Sequence, residues 1–64
     1  MTEKELLYLE DAVSHESIII SICEDMEEKI EDEDLKNFIT SEIEKHTSIK
    51  DELMSFMEEK VNEW

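Results

Sequence analysis

The 64-residue sequence has no glycine, no proline and no arginine, a single cysteine, and aromatic residues at only 6% of positions. Each absence excludes something. Without glycine there is no phosphate-cradling loop, no dinucleotide fingerprint and no primed hairpin turn. Without proline nothing in the chain breaks a helix. One cysteine, Cys23, makes no internal disulfide, so a disulfide-stapled secreted scaffold is excluded and a reducing, cytoplasmic location is expected. Long apolar runs are missing too. The best is Ile18-Ile19-Ile20, Ser21, Ile22-Cys23, far short of the ~20 residues of a spanning helix. No basic segment opens the chain, so no signal peptide is expected. Cations are scarce: six Lys stand against twenty acids, a formal charge of −14. That balance repels phosphates and anionic lipid headgroups, so direct binding of nucleic acid or of a membrane surface is not expected.

What is present is 39% hydrophobic residues at helical spacing. Thr2 followed by Glu5 reads as a capping box, and Glu3 and Glu5 suit the positive end of a helix dipole. Advancing 100° per residue, Tyr8, Ala12, Ile19, Cys23, Met26 and Ile30 fall on one stripe. Leu9, Val13, Ile20 and Ile22 widen it. A strict 3-4 count also works, through Leu6, Leu9, Val13, Glu16, Ile20, Cys23, Glu27 and Ile30. The first helix is expected over about residues 3–30. The periodicity then pauses at Glu31-Asp32-Glu33-Asp34, where Asp32 or Asp34 suits an N-cap. A second stripe runs through Leu35, Ile39, Ile43, His46, Leu53, Met57 and Trp64, widened by Phe38, Ile49, Phe56 and Val61. It predicts a second helix over about residues 34–63. Asp25 with Lys29 and Asp32 with Lys36 offer i,i+4 ion pairs.

Two long helices joined by a tight acidic turn are antiparallel neighbours. The chain is therefore expected to be a single all-α domain over residues 1–64, an antiparallel two-helix hairpin. Each apolar stripe is wider than one partner helix covers. A homodimer forming a four-helix bundle would bury the remainder.

Polar residues inside the stripes are the candidate chemistry. Glu16 lies on the apolar face of the first helix, and Glu42 and His46 lie one turn apart on the second. A carboxylate on a core face must be paired or bind a metal. Glu16, Glu42 and His46 together suit Fe, Mn or Zn, while Glu16 paired with His46 or Lys50 is the structural alternative. Cys23 reads as a small core hydrophobe, since the acids around it disfavour a thiolate. Ser14, His15 and Glu16 are consecutive and point about 100° apart, so they form no triad. The second candidate site is the acidic surface. Glu24, Asp25, Glu27, Glu28, Glu31, Asp32, Glu33 and Asp34 place eight acids in residues 24–34. Such a pole steers a small protein towards a basic protein partner, and an acidic rod can occupy a groove built for nucleic acid.

Read without gaps, Asp11-Ala12-Val13-Ser14-His15-Glu16, Glu33-Asp34-Leu35-Lys36 and Glu42-Ile43-Glu44-Lys45-His46, followed by Ile49, Leu53 and Met57, resemble the ferritin-like superfamily. Within it the chain looks like the spore coat F-like domain, over about residues 6–57. The resemblance implies a hairpin that is half, or part, of a four-helix bundle. In members with di-metal sites it implies a Glu on the first helix, which Glu16 matches, and Glu-x-x-His on the second. There the chain departs from the pattern: Ile43 stands three residues before His46. In the gapless register His46 takes the place of the metal Glu, and Ile49 that of the His. Coat F-like proteins are not thought of as enzymes. The function expected is a non-enzymatic acidic interaction module, structural or inhibitory. The alternative is a metal-binding half-bundle.

Overall fold

The computed structural model describes residues 1–63, so the expectations placed on Trp64 lie outside the described residues. It is a hairpin of two helices, α1 (Glu3–Lys29) and α2 (Glu33–Asn62). The Cα trace measures 48 × 15 × 11 Å. No helix is long and apolar enough to cross a membrane.

The helix ends follow the local chemistry. The Thr2 hydroxyl accepts from the Glu5 amide at 3.1 Å, and the Thr2 amide donates to the Glu5 carboxylate at 2.7 Å, the reciprocal capping box. These bonds, the backbone one foremost, hold the Glu5 carboxyl below its ordinary value. A lowered folded-state pKa means that the box is complete above the ordinary carboxylate range. It is lost as pH falls through the Glu5 value. α1 ends at Ile30, whose extended backbone turns the chain. Asp32 caps α2, its carboxylate accepting the Leu35 amide at 2.8 Å. Asp32 is thereby committed to capping and makes no ion pair with Lys36, whereas the expected Lys29–Asp25 pair is present at 2.8 Å. Thr2→Ala or Asp32→Ala should each cost about 1 kcal/mol, read as a lower midpoint in urea.

The seam follows the strict 3-4 count. Leu6, Leu9, Val13, Glu16, Ile20, Cys23 and Glu27 of α1, and Ile30 at its C-cap, are all half-buried. They face Lys36, Ile39, Ile43, His46, Lys50, Leu53, Met57 and Lys60 of α2, an unbroken 3-4 series of its own. Among the described residues only Ile39 is buried, at 5% exposure. The stripe centred on Tyr8, Ile19 and Met26 is not the seam. Those three side chains stay exposed beside it, and so does Ile22.

Writing Leu6 and Lys36 as position a of a heptad shows where the remaining apolar residues go. Tyr8, Ala12, His15, Ile19, Ile22 and Met26 occupy positions c and g of α1. Leu35, Phe38, Ile49 and Phe56 occupy c and g of α2. On antiparallel helices these positions flank the seam on the same side, because the same rotation away from the seam leads to the same face of the pair. The linings of two surface concavities confirm the geometry. Met1 and Glu5 gather with Phe56 and Lys60 on this side. Leu6 and Glu10 gather with Met54, Met57, Glu58 and Val61 on the other. The second side, positions b and e, carries Glu10, Ser14, Ser17, Ser21, Glu24 and Glu28, opposite Asn37, Thr40, Glu44, Thr47 and Asp51. The c and g side therefore carries most of the exposed apolar side chains, interspersed with Glu5, Lys29, Glu42, Lys45, Glu52 and Glu59, while the b and e side is mostly polar apart from Leu7, Met54 and Val61. The chain exposes 4931 Å², against about 4,300 Å² for a compact monomer of this mass.

Candidate functional site

Glu16, Glu42 and His46 do come together, near the middle of the seam. Glu16 stands at position d of α1 and His46 at position d of α2. Glu42 is one turn before His46 on the same helix. Glu16 Oε2 lies 2.5 Å from His46 Nδ1, and Glu42 Oε2 lies 3.5 Å from His46 Nε2. Their side chains are 16–26% exposed. The first contact is a hydrogen bond across the hairpin. The second is an electrostatic contact at the long limit of hydrogen-bonding distance. A neutral imidazole has one N–H to give, whereas the imidazolium gives one to each carboxylate.

Chemically this is a histidine held between two carboxylates, the pairing with His46 that the residues offered as one alternative. The carboxylates address opposite nitrogens of the ring, so the three donor groups do not converge on one point. Among the described residues no group of three or more His, Cys, Asp or Glu side chains is disposed to hold a metal ion. Lys50, the other candidate partner of Glu16, sits one turn beyond His46 in the same seam.

The cluster has a measurable signature. Breaking it from one side leaves the Glu16 carboxylate in a half-dry seam without its donor, and removing Glu16 with His46 takes that group away, leaving only the longer contact of the more exposed Glu42 unmade. His46→Leu should therefore destabilise by about 1–3 kcal/mol. The double variant Glu16→Leu/His46→Leu should recover that loss or exceed wild type in a urea titration. Equal destabilisation by the single and the double variant would show that the pair has no such role.

The acids of residues 24–34 divide by task. Asp25 pairs with Lys29, and Asp32 caps α2. Glu27 is half-buried in the seam and accepts a 2.6 Å hydrogen bond from the Thr40 hydroxyl. Glu33 and Asp34 form the acidic first turn of α2. Glu24, Glu28 and Glu31 are exposed. The pole expected from the sequence thus exists at the turn end of the rod, with three of its members also holding the fold together. Cys23 is half-buried in the seam, as expected of a small hydrophobe.

Neither the Glu27–Thr40 bond nor the placing of Lys36 in the seam is among the features expected from the sequence. The 3-4 count extended through α2 would have found the lysine. Nothing in the sequence signals a threonine 13 residues from its acceptor.

No family model matches this chain, and neither a curated protein nor a solved structure matches it.

Proposed function

We propose that this protein is a non-enzymatic interaction module. Two hairpins associate through their apolar faces into a four-helix bundle, and the acidic surface left outside engages a basic protein partner. One observation carries the reading: Tyr8, Ile19, Ile22 and Met26 of α1 share a side with Leu35, Phe38 and Phe56 of α2, all exposed on a single hairpin. Contiguous apolar faces of this kind mark interaction sites. A hairpin with one buried side chain among its described residues gains its missing core by association. The resemblance to ferritin-like half-bundles supports the same architecture, with the Glu16–His46–Glu42 cluster serving as a polar pairing within the seam.

The charge supports the choice of partner. At −14 over 64 residues, every surface outside the apolar face attracts cations and repels polyanions. A structural component held to a basic protein and an inhibitor seated in a nucleic-acid groove both fit this chemistry. The test uses the intact protein as bait in a host lysate, beside a variant with Glu24, Glu28 and Glu31 changed to Gln. A captured basic protein should be lost at near-molar salt and weakened at least several-fold by the variant. Capture that is unchanged in both respects would refute the electrostatic reading.

A further inference from the structure

We infer that the two hairpins dock antiparallel, with their acidic turns at opposite ends of the bundle and α1 lying on α1 of the partner subunit. This rests on the self-association proposed above. It names the arrangement, which the apolar face alone leaves open.

A two-fold axis in the plane of that face has two orientations. Along the helices, it sets α1 on the second copy's α2 and brings both turns to the same end. Across the helices, it sets like helix on like helix and sends the turns to opposite ends. The charge distribution chooses between them. Residues 24–34 hold eight acids and one lysine, a formal −7. The first arrangement stacks −7 on −7 about 10 Å apart, near one Debye length. In the second, the turns are separated by nearly the 48 Å length of the rod, where salt screens them.

The face is built to meet itself in this sense. On α1 the apolar stripe runs from Tyr8 to Met26, centred on residue 17. On α2 it runs from Leu35 to Phe56, centred near residue 45. These centres lie opposite each other in the hairpin, because Glu16 contacts His46. A two-fold axis across that point sets Tyr8 against Met26 of the partner subunit, Ala12 against Ile22 of the partner subunit, and His15 against Ile19 of the partner subunit. It carries Phe56 to Leu35 of the partner subunit. It also brings Lys4 and Lys60 to the level of residues 30–31 of the second copy. That end, with Glu3, Lys4 and Glu5 beside Glu58, Glu59, Lys60 and Glu63, is itself net negative at −3 but less so than the turn at −7, so the antiparallel order lowers the repulsion between copies. Lys60 stands 5.5 Å from the centre of its own Phe56 ring, beside the face. The area suffices: a footprint of 48 by 15 Å is about 700 Å² per copy, close to the roughly 800 Å² of a standard stable interface.

Spin labels at Ser21→Cys and Glu28→Cys, each in a Cys23→Ser background, test the arrangement. Both positions are exposed at heptad position b of α1, on the side away from the face. In the antiparallel dimer, moving the label by seven residues adds about 21 Å to the interlabel separation along the rod, twice the rise of seven residues, so the second distance is clearly the longer. With both turns at one end the two distances are equal. Equal distances would overturn the arrangement and leave the self-association standing. A monomer, with no dipolar coupling at either site, would overturn both. The unsubstituted chain supplies a second reading. Zero-length carbodiimide coupling of mixed isotope-labelled and unlabelled protein should join Lys4 or Lys60 of one copy to residues 24–34 of the other. Coupling between copies that is confined to the open ends would contradict the proposal.

Discussion

Ile39→Ala should largely unfold this protein at room temperature. Ile39 is the one buried side chain among the described residues. It occupies the seam about two turns past the Asp32 cap of α2. Cutting a buried isoleucine to alanine costs about 2–5 kcal/mol, the lost transfer energy plus the cavity. A domain of this size has about 3–5 kcal/mol in total. The expected reading is a circular dichroism signal at 222 nm reduced by more than half at low micromolar concentration. Partial recovery should follow as concentration rises, since association stabilises the folded form. The comparison is Leu7→Ala, at an exposed position outside the seam, which should leave stability within about 0.5 kcal/mol of wild type. Similar losses from both would show that the seam is not where the hairpin is held.

The second large effect belongs to the apolar face. Ile22→Asp should convert the proposed dimer to a monomer while leaving the hairpin's own contacts intact. The Ile22 side chain is exposed and makes no part of the seam, so the hairpin loses nothing directly. In the dimer the substitution places a carboxylate against apolar side chains from both copies. An unpaired buried charge of that kind costs several kcal/mol. At two per dimer the dissociation constant should rise by at least a thousandfold. The same change on the polar side, Ser21→Asp, should shift it little beyond the added charge. The pair separates a specific face from a general dislike of negative charge. A dimer that survives Ile22→Asp with unchanged affinity would place the interface elsewhere.

The hairpin was legible in the sequence because each device that builds it is local. Thr2 and Glu5 are three residues apart, and Asp32 caps within its own turn. The absence of glycine and proline left nothing to interrupt the helices between them. The meeting of Glu16 with His46 was legible for a related reason: both break an apolar stripe, and a tight turn folds one stripe onto the other. The choice of seam was not settled by the pattern. Two overlapping 3-4 series run along α1, one through Leu6, Leu9 and Val13 and the other through Tyr8, Ala12 and His15. Periodicity ranks neither. α2 decides, because its own unbroken series from Lys36 to Lys60 takes the first and leaves the second exposed. The same fact explains why the seam accepts lysines and a histidine. Their stems cover apolar surface while their charged ends reach the rim, and Lys60 shows this by lying beside the Phe56 ring. The disposition of Glu42 and Glu16 on opposite ring nitrogens of His46 was beyond sequence pattern, since it depends on a side-chain rotation within a contact that spacing could only bring close.

The exposed apolar face is proposed to be covered by a second copy of the chain. Sedimentation equilibrium of the untagged, unsubstituted protein, at physiological salt and low micromolar concentration, tests it most directly. Twice the chain mass, dissociating on dilution in a single reversible step, is the expected result. A strict monomer throughout the micromolar range would contradict it.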